Sequence, residues 1–335
     1  MKLLVLRYSA LGDVVLATSV LDPLLEKFPG AHIEWVTDAL YAPLLQGLSG
    51  LAAVHVLDRS SPGATAAMRD RLRGQFDVAL DLQHKVRSAF IARGAAPRRL
   101  TFHRRSLGGA LLALVGADRP LVRAHATQLY AEALAPLGVA APGRPRIHLS
   151  PGARALAADA LDRARGPIVA IAPGARWATK RWPAERFAEV GDALAREGAS
   201  LVLAGGPGDR DAFDTVRAHL RSPVAADLSP LPVDALAAAL ARVQLLVACD
   251  SGPVHLAAAV GTPVVALFGP TSPIRWGPPA PSRALSLGLA CAPCSNHGGD
   301  FCPAGHHRCL ADLGSEAVLS AARELLGRPG LLATR

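Results

Sequence analysis

Aromatic side chains are scarce, at 4% of 335 residues. That supply is too thin for the stacking platforms on which single-stranded nucleic acid is held. Lysine occurs only as Lys2, Lys27, Lys85 and Lys180, so positive charge comes mostly from arginine. No run reaches the roughly 18 uninterrupted apolar residues of a membrane-spanning helix. The apolar start from Met1 to Leu6 is interrupted by Arg7 and Asp13 and shows no convincing cleavage site. It is read as a first strand and not as a signal peptide, and the chain is expected in the cytoplasm. Cysteines number five. In a reducing compartment they are expected as thiols or metal ligands before disulfides.

Half the residues are apolar and 19% are charged, which describes a globular chain. The length suffices for two domains, each with its own core. Basic residues outnumber acidic ones 36 to 27, a formal charge of +9. Such a surplus suits an acidic partner: phosphates, anionic sugars or a membrane face. Plain arginine bias would produce the same total.

Short apolar runs alternate with helical patterns, so the fold class is expected to be α/β, with parallel sheets covered on both faces. Strands are expected at Lys2 to Tyr8, His32 to Thr37, Val54 to Leu57, Asp77 to Leu82 and Arg98 to Phe102. Helices are expected over Val14 to Phe28, Leu40 to Leu48, Thr65 to Arg73, Leu107 to Val115 and Thr127 to Leu137. A Pro- and Gly-rich stretch, Gly138 to Arg146, follows as a linker. The pattern then restarts, with strands at Ile168 to Ala172, Ser200 to Ala204, Leu245 to Cys249 and Thr262 to Phe268. The expected domains are 1–145 and 146–335, with the last helix (Ser315 to Leu326) a candidate to pack back on the first domain.

Chemistry-bearing residues gather at strand carboxyl ends, where open α/β sheets place ligands. Asp250 and Ser251 end one strand, and Gly252, Pro253 and His255 open the next helix. Free backbone N–H groups there favour an anion, and Pro253 costs nothing in a first turn. His255 is read either as a phosphate contact or as a packed helix histidine. The loop from Pro173 and Gly174 through Thr179 to Lys180 is cationic. A lysine ammonium there suits a diphosphate leaving group; a solvated surface lysine is the other reading. Gly205 to Asp209 forms a glycine-bearing turn whose carboxylate suits ribose hydroxyls or merely caps a helix. Its spacing is not that of a dinucleotide fingerprint or a P-loop. In the first half, Ser9, Gly12 and Asp13 follow the first strand. Asp13 could take a proton from an attacking hydroxyl or serve as an ordinary N-cap.

Taken in order, these segments resemble the heptosyltransferases of glycosyltransferase family 9, which build the lipopolysaccharide inner core. Arg7-x-Ser9-x-Leu11-Gly12-Asp13, Pro173-Gly174 through Thr179-Lys180-Arg181-Trp182-Pro183, Asp250-Ser251-Gly252-Pro253-x-His255 and Phe268-Gly269-Pro270-Thr271 carry the resemblance. It implies the GT-B fold of two Rossmann-like domains facing across a cleft, the first binding acceptor and the second the nucleotide sugar. It also implies an ADP-heptose donor, a lipid-linked anionic glycan acceptor, and inversion without a cofactor or catalytic metal. Asp13 matches the general base and Lys180 the donor-phosphate contact. Asp250 to His255 match the loop under the pyrophosphate, and Asp209 more loosely the acidic residue near the ribose. Ser9, Arg104 and Arg105 are acceptor-side candidates; Arg98 to Arg105 could equally be a solvated loop. The same cationic face could rest peripherally on the inner membrane. Cys291, Cys294, Cys302 and Cys309 are left among structural zinc, a reduced loop and a disulfide, because the spacing after Cys-x2-Cys is irregular for a zinc module. Rival readings are a GT-B enzyme for another sugar or glycan, and a two-domain binding protein without chemistry. A nucleic-acid binder fits the charge but no recognised module.

Overall fold

The computed structural model describes residues 1–102 and 124–327. They divide into two units, the first ending at Ser150 and the second starting at Pro151. The expected helix at Leu107 to Val115, with Arg104 and Arg105, lies outside the described residues.

The first unit is built on five parallel strands: β1 (Lys2–Leu6), β2 (His32–Thr37), β3 (Ala53–Val56), β4 (Val78–Asp81) and β5 (Arg98–Leu100). Their order is β3-β2-β1-β4-β5. Leu3 to Leu6 are fully buried, as expected of a continuous apolar run covered on both faces. The covering helices are α1 (Leu11–Ala17), α2 (Leu21–Lys27), α3 (Ala64–Arg71), α4 (Val86–Ala95) and α5 (Ala126–Glu132).

Two expectations need correction here. The single helix over Val14 to Phe28 is split by a 3-10 turn, Thr18–Val20. Pro23 explains the split: in a continuous helix its ring would crowd the Ser19 carbonyl and offer it no N–H. That carbonyl instead accepts from the Gly143 N–H at 2.8 Å. Over Leu40 to Leu48 only a 3-10 turn forms, Ala42–Leu44, with Pro43 inside it. Helix α4 was not foreseen. Val86 and Phe90 on it are exposed, which blurs the apolar stripe.

The second unit has six parallel strands: β6 (Ile168–Ala172), β7 (Ser200–Leu203), β8 (Val224–Asp227), β9 (Leu245–Cys249), β10 (Val264–Leu267) and β11 (Arg283–Leu285). Their order is β11-β10-β9-β6-β7-β8. Its helices are α6 (Pro151–Ala160), α7 (Ala184–Arg196), α8 (Arg210–His219), α9 (Val233–Leu240), α10 (Gly252–Ala259), α11 (Pro273–Trp276), α12 (Arg308–Ala311) and α13 (Ser315–Leu326). Helix α13 packs on α7, β9 and β10 of its own unit. The core joins Phe187, Phe213, Val247 and Leu325. Strands β8 and β11 are short, partly exposed edges, too weakly patterned to be foreseen.

Both sheets have the same topology. In each, the first strand lies at the centre and the order reverses beside it, between β1 and β4 and between β6 and β9. A crevice opens at the carboxyl ends of such a pair. Among the described residues, the loops after β1, β6, β7 and β9 carry the candidate residues.

Candidate functional site

Asp13 lies in the first turn of α1, behind the loop that leaves β1. Both its oxygens accept: Oδ2 from an Arg7 guanidinium nitrogen at 2.6 Å and Oδ1 from the Tyr130 hydroxyl at 2.7 Å. Arg7 is buried. Burial works against its charge, but Asp13, with Tyr130 and Tyr8, outweighs that and raises the guanidinium above its ordinary value. Its backbone carbonyl accepts from the Trp35 indole N–H at 3.0 Å. The Asp13 side chain keeps 17% of its surface exposed. Each carboxylate oxygen offers two lone pairs, so an oxygen that accepts one hydrogen bond is not thereby closed to a proton.

The loop after β4 braces the loop after β1. Gln83 Oε1 accepts from the Tyr8 and Ser9 backbone N–H groups at 3.0 and 3.2 Å. Its amide nitrogen lies 3.4 Å from the Ser9 hydroxyl. Gly12 is the second residue of α1. At the end of β4, buried Asp81 is held by Arg99 at 2.6 Å and accepts from the His84 N–H at 2.9 Å.

In the second unit, Lys180 and Asp250 meet. Lys180 Nζ lies 2.7 Å from Asp250 Oδ2, and the Thr271 hydroxyl donates to the same oxygen at 2.6 Å. Asp250 is buried. Its charge is thus spent on holding Lys180 and Thr271, and the ammonium retains two further N–H donors on a side chain 14% exposed. Beside this pair, Ser251 caps α10 in extended geometry and donates from Oγ to the Cys249 carbonyl at 3.1 Å. Gly252 and Pro253 form the first turn, and His255 is buried on the helix.

Two assignments change their physical meaning. A Cβ on Gly174 would stand 2.1 Å from Asp209 Oδ1, and one on Gly205 2.6 Å from Asp209 Oδ2. These glycines give the Asp209 carboxylate its space. That carboxylate also accepts from the Gly206 N–H at 2.9 Å. The Thr179 hydroxyl is engaged by Gly299, donating to its carbonyl at 2.8 Å and accepting from its N–H at 2.9 Å. Pro173 presents its carbonyl to the buried Cys249 thiol.

Gly299 belongs to the cysteine-bearing segment. His307 Nε2 reaches the Thr179 carbonyl at 2.7 Å, so this segment straps the Lys180 loop. All five thiols are free. Cys294, Cys302, Cys309 and His307 line a cavity of about 170 Å³. Among the described residues no group of three or more His, Cys, Asp or Glu side chains is arranged to hold a metal ion.

Sequence reasoning missed Tyr130, Gln83 and Asp81, and weighed His307, with His297 and His306, only as part of the cysteine cluster. Asp81 and Gln83 carry a usable signal, since they lie at and just beyond the end of the strand beside β1. Tyr130 carries none, and the strap role of His307 carries none, because they reach Asp13 and Thr179 only through tertiary packing.

Two Rossmann-like units, each with polar loops at its switch point, define the GT-B class of nucleotide-sugar transferases. The glycosyltransferase family 9 (heptosyltransferase) model matches residues 65–302, and the chain belongs to that family. Lipopolysaccharide heptosyltransferase 2 of Salmonella typhimurium is 28% identical over 99% of this chain and 100% of its own length. Among solved structures, a family 9 glycosyl transferase from Veillonella parvula is 26% identical, with a TM-score of 0.82 and 97% of each chain covered. The ADP-heptose lipopolysaccharide heptosyltransferase II of E. coli has the same fold, at 24% identity and a TM-score of 0.74 over 97% of this chain and 98% of its own.

Proposed function

We propose that this heptosyltransferase moves heptose from ADP-heptose to a lipid-linked inner-core acceptor, with inversion at the anomeric carbon. The observation that carries the reading is the Lys180–Asp250 pair at the carboxyl end of β9. It presents a fixed ammonium beside a helix N-terminus, which is what a departing diphosphate requires. Asp209, Gly174 and Gly205 form the neighbouring loop pair, suited to the ribose. Family membership, ADP-heptose in the name of a relative of the same fold, and lipopolysaccharide in those of two relatives support the donor and acceptor.

The reaction is a single displacement. The acceptor hydroxyl oxygen forms a bond to the anomeric carbon as the bond from that carbon to the diphosphate oxygen breaks. The bonding electrons leave with ADP, and the hydroxyl proton passes to Asp13. Lys180 and the α10 N-terminus offset the charge growing on the diphosphate. One carboxylate suffices, because no covalent glycosyl intermediate forms. Ser9 and the loop after β4 are assigned to the acceptor side. The arginine surplus suits an anionic acceptor and peripheral contact with an anionic leaflet, at the cytoplasmic face.

Calorimetry with ADP, UDP, GDP and NAD, each with and without Mg²⁺, tests the donor. Metal-independent preference for ADP is expected; preference for UDP or GDP would move the donor, and binding of none would remove the reading. Asp13→Asn should bind ADP normally and lose turnover of ADP-heptose with heptose-deficient core lipopolysaccharide. Turnover surviving that change would take the base role from Asp13.

A further inference from the structure

We infer that Tyr130 is a positioning residue for the base: its hydroxyl fixes the Asp13 carboxylate in the plane from which it takes the acceptor proton. This rests on the reading of Asp13 as that base. The two residues are 117 positions apart, and the hydroxyl lies 2.7 Å from Asp13 Oδ1.

The need for a second anchor follows from geometry. A carboxylate on a helix turn has two side-chain torsions to settle. Arg7 holds Oδ2, and one contact does not by itself fix the carboxylate plane. A donor on the other oxygen fixes it. Both bonds draw on the carboxylate's charge, and such bonds are stronger than neutral ones. Small losses of alignment at a reacting group are expensive in rate.

Tyr130 is itself held firmly. It is buried, at 3% exposure, and its ring meets Phe102 edge-on at 5.4 Å and 77°. The Arg7 guanidinium carbon lies 5.5 Å from the ring centroid, so the residue that grips one Asp13 oxygen also flanks the ring that serves the other. Its helix α5 is capped at both partners of its first turn. The His125 ring accepts from the Thr127 N–H at 3.3 Å, and the Gln128 side chain accepts from the His125 N–H at 3.1 Å. Helix α5 packs directly on α1, the helix that carries Asp13. A buried phenol also needs a hydrogen-bond partner, and the Asp13 carboxylate serves as one here.

Tyr130→Phe removes the hydroxyl and keeps the ring contacts. In the core-lipopolysaccharide assay its kcat should fall about tenfold, with KM for donor and acceptor within about twofold, the pattern of an interaction realised in the transition state. ADP affinity by calorimetry and the melting temperature report that the variant is folded. In an Asp13→Asn background the same change should have no further effect on the residual rate, because residues acting as a unit are non-additive. An unchanged kcat for Tyr130→Phe beside an inactive Asp13→Asn would overturn the inference and leave the base intact. So would a raised KM at constant kcat, or a loss that simply multiplies in the double variant. An active Asp13→Asn would instead remove the base reading, and the inference with it.

Discussion

At the scale of single residues, the ion pair of Lys180 with Asp250 and the proposed leaving-group role of Lys180 can be separated. The pair is almost wholly out of water, so removing one member leaves an uncompensated buried charge, at a cost of about 3–5 kcal/mol. Lys180→Gln should therefore destabilise the protein and also slow turnover by about 100-fold, the usual size of a lost charge-stabilising donor. Adding Asp250→Asn removes the orphaned charge. The double variant should regain much of the stability in denaturant unfolding while kcat stays low. Recovery of both would make the lysine a structural counter-ion only. The thiols offer a second residue-scale prediction. Burial pushes Cys249 up to about 12, so it stays a thiol at neutral pH. At Cys302, burial raises the thiol, but backbone N–H groups from His307, Ala304, His306 and Gly305 outweigh it and bring it below its ordinary value. The thiolate is the reactive form. Iodoacetamide labelling followed by peptide mass analysis should find Cys302 modified at a lower pH than Cys294, whose thiol burial and neighbouring cysteines raise, and Cys249 unmodified.

At the scale of elements, loops decide what strands present. The strap from the cysteine-bearing segment fits at Gly298, which has a φ of +92°. A Cβ there would stand 2.9 Å from Lys180 Cγ and Cδ and from Trp177 Cβ. The lysine cannot swing clear without leaving Asp250. Gly298→Ala should thus add about 1–3 kcal/mol of backbone strain and lower kcat without any change to a group that touches substrate. Denaturant unfolding and steady-state rates check the two effects. Most strands were legible because parallel strands, buried on both faces, are continuous apolar runs; Ile168–Ala172 and Leu245–Cys249 stand where the sequence puts them. Helix limits were legible where caps and apolar stripes agree, as in Ser315–Leu326. They were not where a proline acts through a distant partner, as Pro23 does by freeing the Ser19 carbonyl for Gly143.

At the scale of the whole molecule, net charge is the governing property. A formal +9 acting on anionic substrates makes association sensitive to salt, because exposed charges are screened within about 8 Å at physiological ionic strength. Raising NaCl from about 50 to 500 mM should increase the acceptor KM several-fold and leave kcat nearly unchanged, since the largely buried pairs at Asp13 and Asp250 are screened much less than exposed charges. An acceptor KM indifferent to salt would reduce the arginine surplus to composition. By itself the sequence determined the α/β class and the repeated architecture, and it put forward Asp13, Lys180 and Asp250 at strand ends. Strand ends and their short loops are local, and a parallel sheet aligns its carboxyl ends. Only the tertiary structure decided what those groups hold. Lys180 lies on Asp250, Asp209 fills the space beside two glycines, and Arg7 and Tyr130 grip the two oxygens of Asp13. Contacts between residues tens of positions apart, and 117 for Tyr130 and Asp13, depend on packing, which no local pattern encodes.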